Sequence, residues 1–177
     1  MPRQADLVLP DPFGEGSVSW GHWGADNARR GGLVLLGPTE AAEGFAEAGY
    51  EVWQIAIPDA GLDPSRACQV LAAMLDGIEG PRFIIGHDAA GPCAWRLAII
   101  GAGLTAGAAY GVFEPLGEAP ALPFILQLDA AWTDDSVEGL RDRFAELKIH
   151  RLSSGADLAR LRTLAVFSRA SGRGEGA

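Results

Sequence analysis

From residue 32 onward, short runs of consecutive apolar residues alternate with longer segments whose apolar positions recur every three or four residues. A run that is apolar at every position is buried on both faces, as strands of a parallel sheet are. Helical spacing marks the helices that cover such a sheet. The runs predict strands at Leu33 to Leu36, Tyr50 to Ile57, Phe83 to Ile85, Ala106 to Val112, Leu122 to Leu128 and Ile149 to Leu152. The first helix is capped by Thr39, runs through Phe45 and Ala48, and stops at Gly49. Asp63 and Pro64 supply a cap and a first helical residue, and Ala67, Val70, Leu71, Met74, Leu75 and Ile78 share one face before Gly80-Pro81. Trp95 to Ile100 reads as a third helix. A fourth opens at Asp134-Asp135-Ser136 with Val137, Leu140, Phe144 and Leu147 on one face. In the last, Ser154 and Asp157 have capping-box spacing, and Leu158, Leu161, Leu164 and Phe167 supply the buried face. Ahead of this region, Asp6 to Leu9 and Ser17 to Trp20 read as antiparallel edge strands, and Trp20, His22 and Trp23 form an aromatic cluster.

This alternation predicts an α/β three-layer sandwich with six to eight strands, a mostly parallel sheet, helices on both faces and no lid domain. No linker divides it. Residues 1–170 are expected to form a single domain and residues 171–177 a disordered tail.

One junction carries candidate chemistry. The strand Phe83-Ile84-Ile85 runs into Gly86-His87-Asp88-Ala89-Ala90, a small-x-nucleophile-x-small turn, and then into a helix. Such a strand-to-helix turn pushes its central side chain out over the sheet edge while the helix N-terminus aims backbone N–H groups at the same place. Asp88 holds the central position. Aspartate is also a favoured helix N-cap, so a purely structural role for Asp88 is the competing reading. Cys93, one turn further on, is a second nucleophile candidate.

Composition narrows the choice. Of 177 residues, 48% are hydrophobic and 21% charged, an ordinary globular balance. The net charge of −9, with basic residues scattered apart from Arg29-Arg30, disfavours nucleic acid as a partner. No apolar run approaches the roughly 18 residues of a membrane span and no signal-peptide core follows Met1, so a cytoplasmic protein without a membrane partner is expected. Cys68 and Cys93 lack metal-ligand spacing and read as core thiols; neither a metal nor a cofactor is expected. Gly101-Ala102-Gly103-Leu104-Thr105-Ala106 matches a dinucleotide-binding pattern, but it lies between a helix and a strand, the reverse of what that motif needs, and reads as a loop.

Arg30-Gly31-Gly32-Leu33-Val34-Leu35-Leu36, the turn with Arg96-Leu97-Ala98 behind it, Gly107-Ala108-Ala109-Tyr110-Gly111, Pro123 to Leu128 and Arg162-Thr163-Leu164-Ala165-Val166-Phe167 occur in an order that resembles the dienelactone hydrolase branch of the α/β-hydrolases. The resemblance covers roughly residues 30 to 170. It implies a hydrolase fold for small esters or lactones and places the nucleophile at Asp88, where that branch has Cys. Gly86-His87-Asp88 is similar to the haloalkane dehalogenase and epoxide hydrolase branches, in which a carboxylate attacks carbon. By the same resemblance, the oxyanion donors are the N–H groups of Ala89 and Thr39, and the acid is Asp134, with Asp129 as the other option; the aligned slot itself holds Trp132.

The resemblance also places a base histidine in the loop after the last strand, which here reads Leu152-Ser153-Ser154-Gly155-Ala156. The chain has three histidines, His22, His87 and His150. His150, in the last strand, completes a catalytic set with Asp88 and Asp134. The expectation is a divergent hydrolase for a small ester, lactone or halide. The alternative is a non-catalytic relative that keeps the fold for ligand binding or for self-association as a homodimer.

Overall fold

A computed structural model describes residues 20–24, 30–37, 40–55, 64–111, 113–151 and 155–172. Seven strands form one sheet in the order β1-β3-β2-β4-β5-β6-β7. They are β1 (Trp20–Trp23), β2 (Gly32–Leu36), β3 (Glu51–Ile55), β4 (Arg82–His87), β5 (Ala106–Gly111), β6 (Phe124–Leu128) and β7 (Lys148–Arg151). β1 pairs antiparallel with β3, and every other pairing is parallel. The helices are α1 (Glu40–Glu47), α2 (Pro64–Asp76), α3 (Gly91–Ile99), α4 (Asp134–Arg143) and α5 (Gly155–Gly172).

The period of two along each strand divides the core in two. Leu33, Leu35, Phe83, Ile85, Ala108 and Ile125 face α1 and α5, meeting Phe45, Val166 and Phe167. Val34, Leu36, Ile84, Ala109, Leu126 and Leu128 face the other way and pack with Ala67, Leu71 and Leu75 of α2, Leu97 of α3 and Leu140 of α4. This is the expected three-layer sandwich. On the α1/α5 side the Phe83 and Phe167 rings stack at 4.5 Å. On the other side Trp95 meets Phe113, Phe124 and Phe144 edge-on and donates from Nε1 to the Leu116 carbonyl at 2.8 Å.

An antiparallel edge strand, expected at Ser17 to Trp20, is seen over Trp20–Trp23, with residues 17–19 outside the described residues; its His22 is held by a 3.0 Å contact to Glu51 and by stacking on Trp53. One expectation needs correction. The buried face of α5 is Ala159, Thr163, Val166, Phe167 and Ala170, and Leu161 is 59% exposed. The helix runs through Gly172. Asp6 to Leu9, Thr39, Asp63, Ser154 and residues 173–177 lie outside the described residues. Among the described residues no helix is long and apolar enough to cross a membrane.

β2 lies between β3 and β4, so the chain reverses its direction of travel across the sheet there. In an open α/β sheet such a reversal splays the connections apart and opens a crevice at the carboxyl ends of the two strands. Gly37 follows β2 and Asp88 follows β4, so both lie at that crevice.

Candidate functional site

β4 ends at His87, a single 3-10 turn covers Asp88–Ala90, and α3 begins at Gly91. Pro92 in the first turn of α3 lacks an N–H where none is needed. The turn closes tightly. A Cβ on Gly86 would lie 2.5 Å from the Ala90 carbonyl oxygen and 2.9 Å from Ala94 Cβ, so the strand can approach its own helix only with glycine at that position.

Asp88 stands at the apex, exposed, with φ at 45°, and it is the one non-glycine residue with positive φ among the described residues. That backbone costs about 1–3 kcal/mol and persists only where its surroundings enforce it. Gly111, at the end of β5 with φ of +96°, is part of that enforcement: a side chain there would run into Asp88 Oδ1. The carboxylate therefore leans over the end of β5. Asp88 does not occupy an N-cap position. The N-cap positions are His87 for the short turn and Ala90 for α3, and neither helical segment has a side-chain cap. Ala89, the first proposed oxyanion donor, is exposed beside Asp88 in the same turn.

His87 points into the gap between β2 and β5. Its ring lies edge-on to Tyr110 at 4.6 Å, and a Cβ on Gly37 would fall 2.7 Å from its Cδ2. Nε2 is buried without a hydrogen-bond partner among the described residues. Burial lowers the imidazole below its ordinary range, opposed by the neighbouring Asp88 charge. Gly37 itself is fixed: Gln54 Nε2 donates to its carbonyl at 2.6 Å, and its N–H donates to Ile55 O at 3.1 Å. Thr39, the second proposed oxyanion donor, is two residues beyond that root and outside the described residues.

His87, Tyr110, Gln127 and His150 occupy one register row across β4 to β7. The row carries a buried network, in which Tyr110 Oη and Thr163 Oγ1 share a hydrogen bond and Gln127 Nε2 donates to Thr163 Oγ1 at 2.9 Å and to Ala159 O at 2.6 Å. Burial pushes the Tyr110 hydroxyl well above its usual range, so it stays protonated and available as a donor. The sequence reading missed this network and Gly111; the only local signal was the small-residue run Gly107 to Ala109 ending at Tyr110-Gly111.

The structure does not bring Asp88, Asp134 and His150 together. His150 is three strands from His87, about 14 Å at the usual strand spacing. Burial and the charges of Arg162, Arg141 and Lys148 hold its imidazole below the usual range. The Asp134 side chain is 93% exposed in the first turn of α4 and pairs with Arg151 Nη2 of β7 at 2.7 Å. Asp129 is nearer the apex: its N–H bonds Gly111 O at 3.4 Å, and its Oδ1 accepts from the Ala131 N–H at 2.6 Å. His22 contacts Glu51 at the opposite end of the sheet. Cys93 is fully buried behind the turn, and its thiol is pushed far up by contact with Cys68 and by burial, which removes it as a nucleophile. The 101–106 segment is the loop between α3 and β5, as expected. Among the described residues no group of three His, Cys, Asp or Glu side chains is placed to hold a metal ion.

No protein-family model matches the chain, and neither does any curated protein. Solved structures do match. A monoacylglycerol lipase of Paleococcus ferrophilus is 12% identical with a TM-score of 0.64, over 86% of this chain and 99% of that one. A cold-adapted esterase from an Arctic intertidal metagenomic library is 14% identical with a TM-score of 0.63, over 98% and 97%. An α/β-hydrolase enzyme from the sediment metagenome of the Mar Chica lagoon, Morocco, is 13% identical with a TM-score of 0.63, over 88% and 97%. With these likenesses and its seven-stranded, mostly parallel sheet between two helical layers, the chain has the α/β-hydrolase fold.

Proposed function

We propose that the chain is a divergent, dienelactone hydrolase-like enzyme that acts on a small ester, lactone or halide, with Asp88 as its reactive carboxylate. One observation carries the reading. Asp88 holds a strained backbone at the exposed apex of the strand-to-helix turn, at the crevice where strand order reverses and outside the N-cap position of either helical segment. With a halide, a carboxylate oxygen of Asp88 attacks the carbon that bears it. A C–O bond forms, the carbon–halogen bond breaks, and halide leaves with the bonding pair, so the chain carries an ester at Asp88. With an ester or lactone, the same carboxylate takes a proton from an attacking water. The N–H groups of Ala89 and Thr39 are the proposed donors to oxygen charge that develops at the turn.

Release of an Asp88 ester needs water activated by a base. All three histidines are placed, and only His87 lies beside Asp88. Its ring is packed against Tyr110 and Gly37, which supports slow release. The same observation favours the second reading, a non-catalytic protein that keeps the crevice for ligand binding. Incubation with a small alkyl bromide, followed by intact-mass and peptide analysis, separates the two. The hydrolase reading expects one alkyl adduct per chain, mapped to Asp88, and none on Asp88→Asn. An unmodified wild-type chain that also fails to hydrolyse activated aryl esters would leave the ligand-binding reading standing.

A further inference from the structure

The amino edge of the sheet, at the opposite end of the strands from Asp88, carries a concavity of about 370 Å³ between the segment entering β6, the start of β7 and the end of α5. That volume lies within the range of small-molecule sites. One wall is the segment 119–123, in which Pro120 and Pro123 fix the backbone, so the wall is preformed and does not have to be ordered by a ligand. The apolar base is lined by the half-buried Pro120, Leu122 and Leu147.

The rim is charged. Lys148 at the first position of β7 and Arg169 in the last turn of α5 both line the opening and are exposed. Neither makes a hydrogen bond or ion pair with the described residues. Glu146 is the one carboxylate in the lining, so this edge carries a local positive excess on a chain of net charge −9. An apolar base under two uncommitted cations selects a ligand with an apolar body and one anionic end.

We propose that this groove is a binding site for a small amphipathic monocarboxylate, whose carboxylate is held by Lys148 and Arg169 and whose hydrocarbon part lies on Pro120, Leu122 and Leu147 between the proline-fixed wall and α5. The site shares no residue with the Asp88 crevice and stands or falls independently of it.

Calorimetric titration of octanoate into the full chain is the test. Saturable one-to-one binding is expected, weakened about tenfold or more in a Lys148→Ala, Arg169→Ala double variant and weakened by added salt, since charge-assisted contacts on an open rim are screened. Glu146→Gln should tighten it, and neutral octan-1-ol should bind at least about tenfold more weakly than octanoate. Both rim cations are exposed, so the double variant keeps the fold, which its circular dichroism checks. Asp88→Asn should leave octanoate binding unchanged. The proposal is overturned by the absence of saturable binding, by unchanged affinity in the double variant, or by loss of binding in Asp88→Asn, which would move the ligand to the crevice.

Discussion

Gly111→Ala tests the geometry of the turn at its most constrained point. Gly111 has φ of +96°, a conformation that costs an L-residue about 1–2 kcal/mol. The added methyl also runs into Asp88 Oδ1, and relief requires the carboxylate to leave its position over β5, an overpacking cost of about 1–3 kcal/mol. Together these predict a loss of about 2–5 kcal/mol, or a fall in Tm of roughly 4–20 °C for a chain of this size. The two parts separate in a second background. With Asp88→Ala the carboxylate is gone, and the next atom the methyl would meet is the Asp88 backbone nitrogen at 3.4 Å, an ordinary contact. Only the backbone part should then remain, about 1–2 kcal/mol, so the cycle should show a coupling of about 1–3 kcal/mol. Equilibrium urea unfolding of wild type, both single variants and the double variant measures it. If Gly111→Ala costs the same in both backgrounds, the carboxylate does not lie over Gly111, and the account of how Asp88 is held is wrong.

Other expectations follow from the same contacts. Asp88→Ala alone should be neutral or stabilising in urea, since Asp88 stands at neither N-cap position; a loss of about 1 kcal/mol or more, restored by Asp88→Ser, would reinstate the capping role. Thr163→Val should cost about 1–3 kcal/mol, because it leaves Tyr110 Oη and Gln127 Nε2 each short of a buried partner; a neutral result would discount the network. His87 is held below its ordinary range, so the unfolded chain binds its proton more readily, and stability should fall as pH drops from about 6.5 to the lower folded value. His150, shifted the same way, adds to that slope, and His87→Gln should flatten but not abolish it in unfolding measured between pH 7 and 5. Asp129→Ala should destabilise more than Asp134→Ala: the first loses the bond to the Ala131 N–H, the second only an exposed pair with Arg151. Equal effects in urea would contradict that ranking.

The layers were legible because a parallel sheet imposes its burial on sequence directly: Leu33 to Leu36 and Phe83 to Ile85 are apolar at every position and are fully buried. The turn was legible because its small residues are a local steric requirement, visible at Gly86 and Ala90 without knowledge of the rest of the fold. The face of α5 was not. Leucine spacing pointed to Leu161, but the helix docks on Tyr110 and Gln127, and that polar surface selects Thr163 and the small Ala159. Nor could spacing choose between Asp129 and Asp134, since the choice depends on Gly111, which lies on the adjacent strand. Nor were the contacts that hold β1 legible, since Glu51 and Trp53 lie some thirty residues away in the chain from His22.

The place of α5 in the chain has a consequence for how the protein is made. Every strand it covers is synthesised before it, and translation proceeds at about 5–20 residues per second. Until α5 emerges, a nascent chain with all its strands complete still shows water the part of one sheet face that α1 does not cover, over β5 and β6 and including Ile125, and leaves Gln127 without the partners that α5 supplies. The interval before α5 docks is therefore the period of greatest exposure to aggregation and to chaperone capture. A stalled or truncated product ending after β7 would remain in that state, with its sheet formed and the α5 side of its core uncovered over β5 and β6.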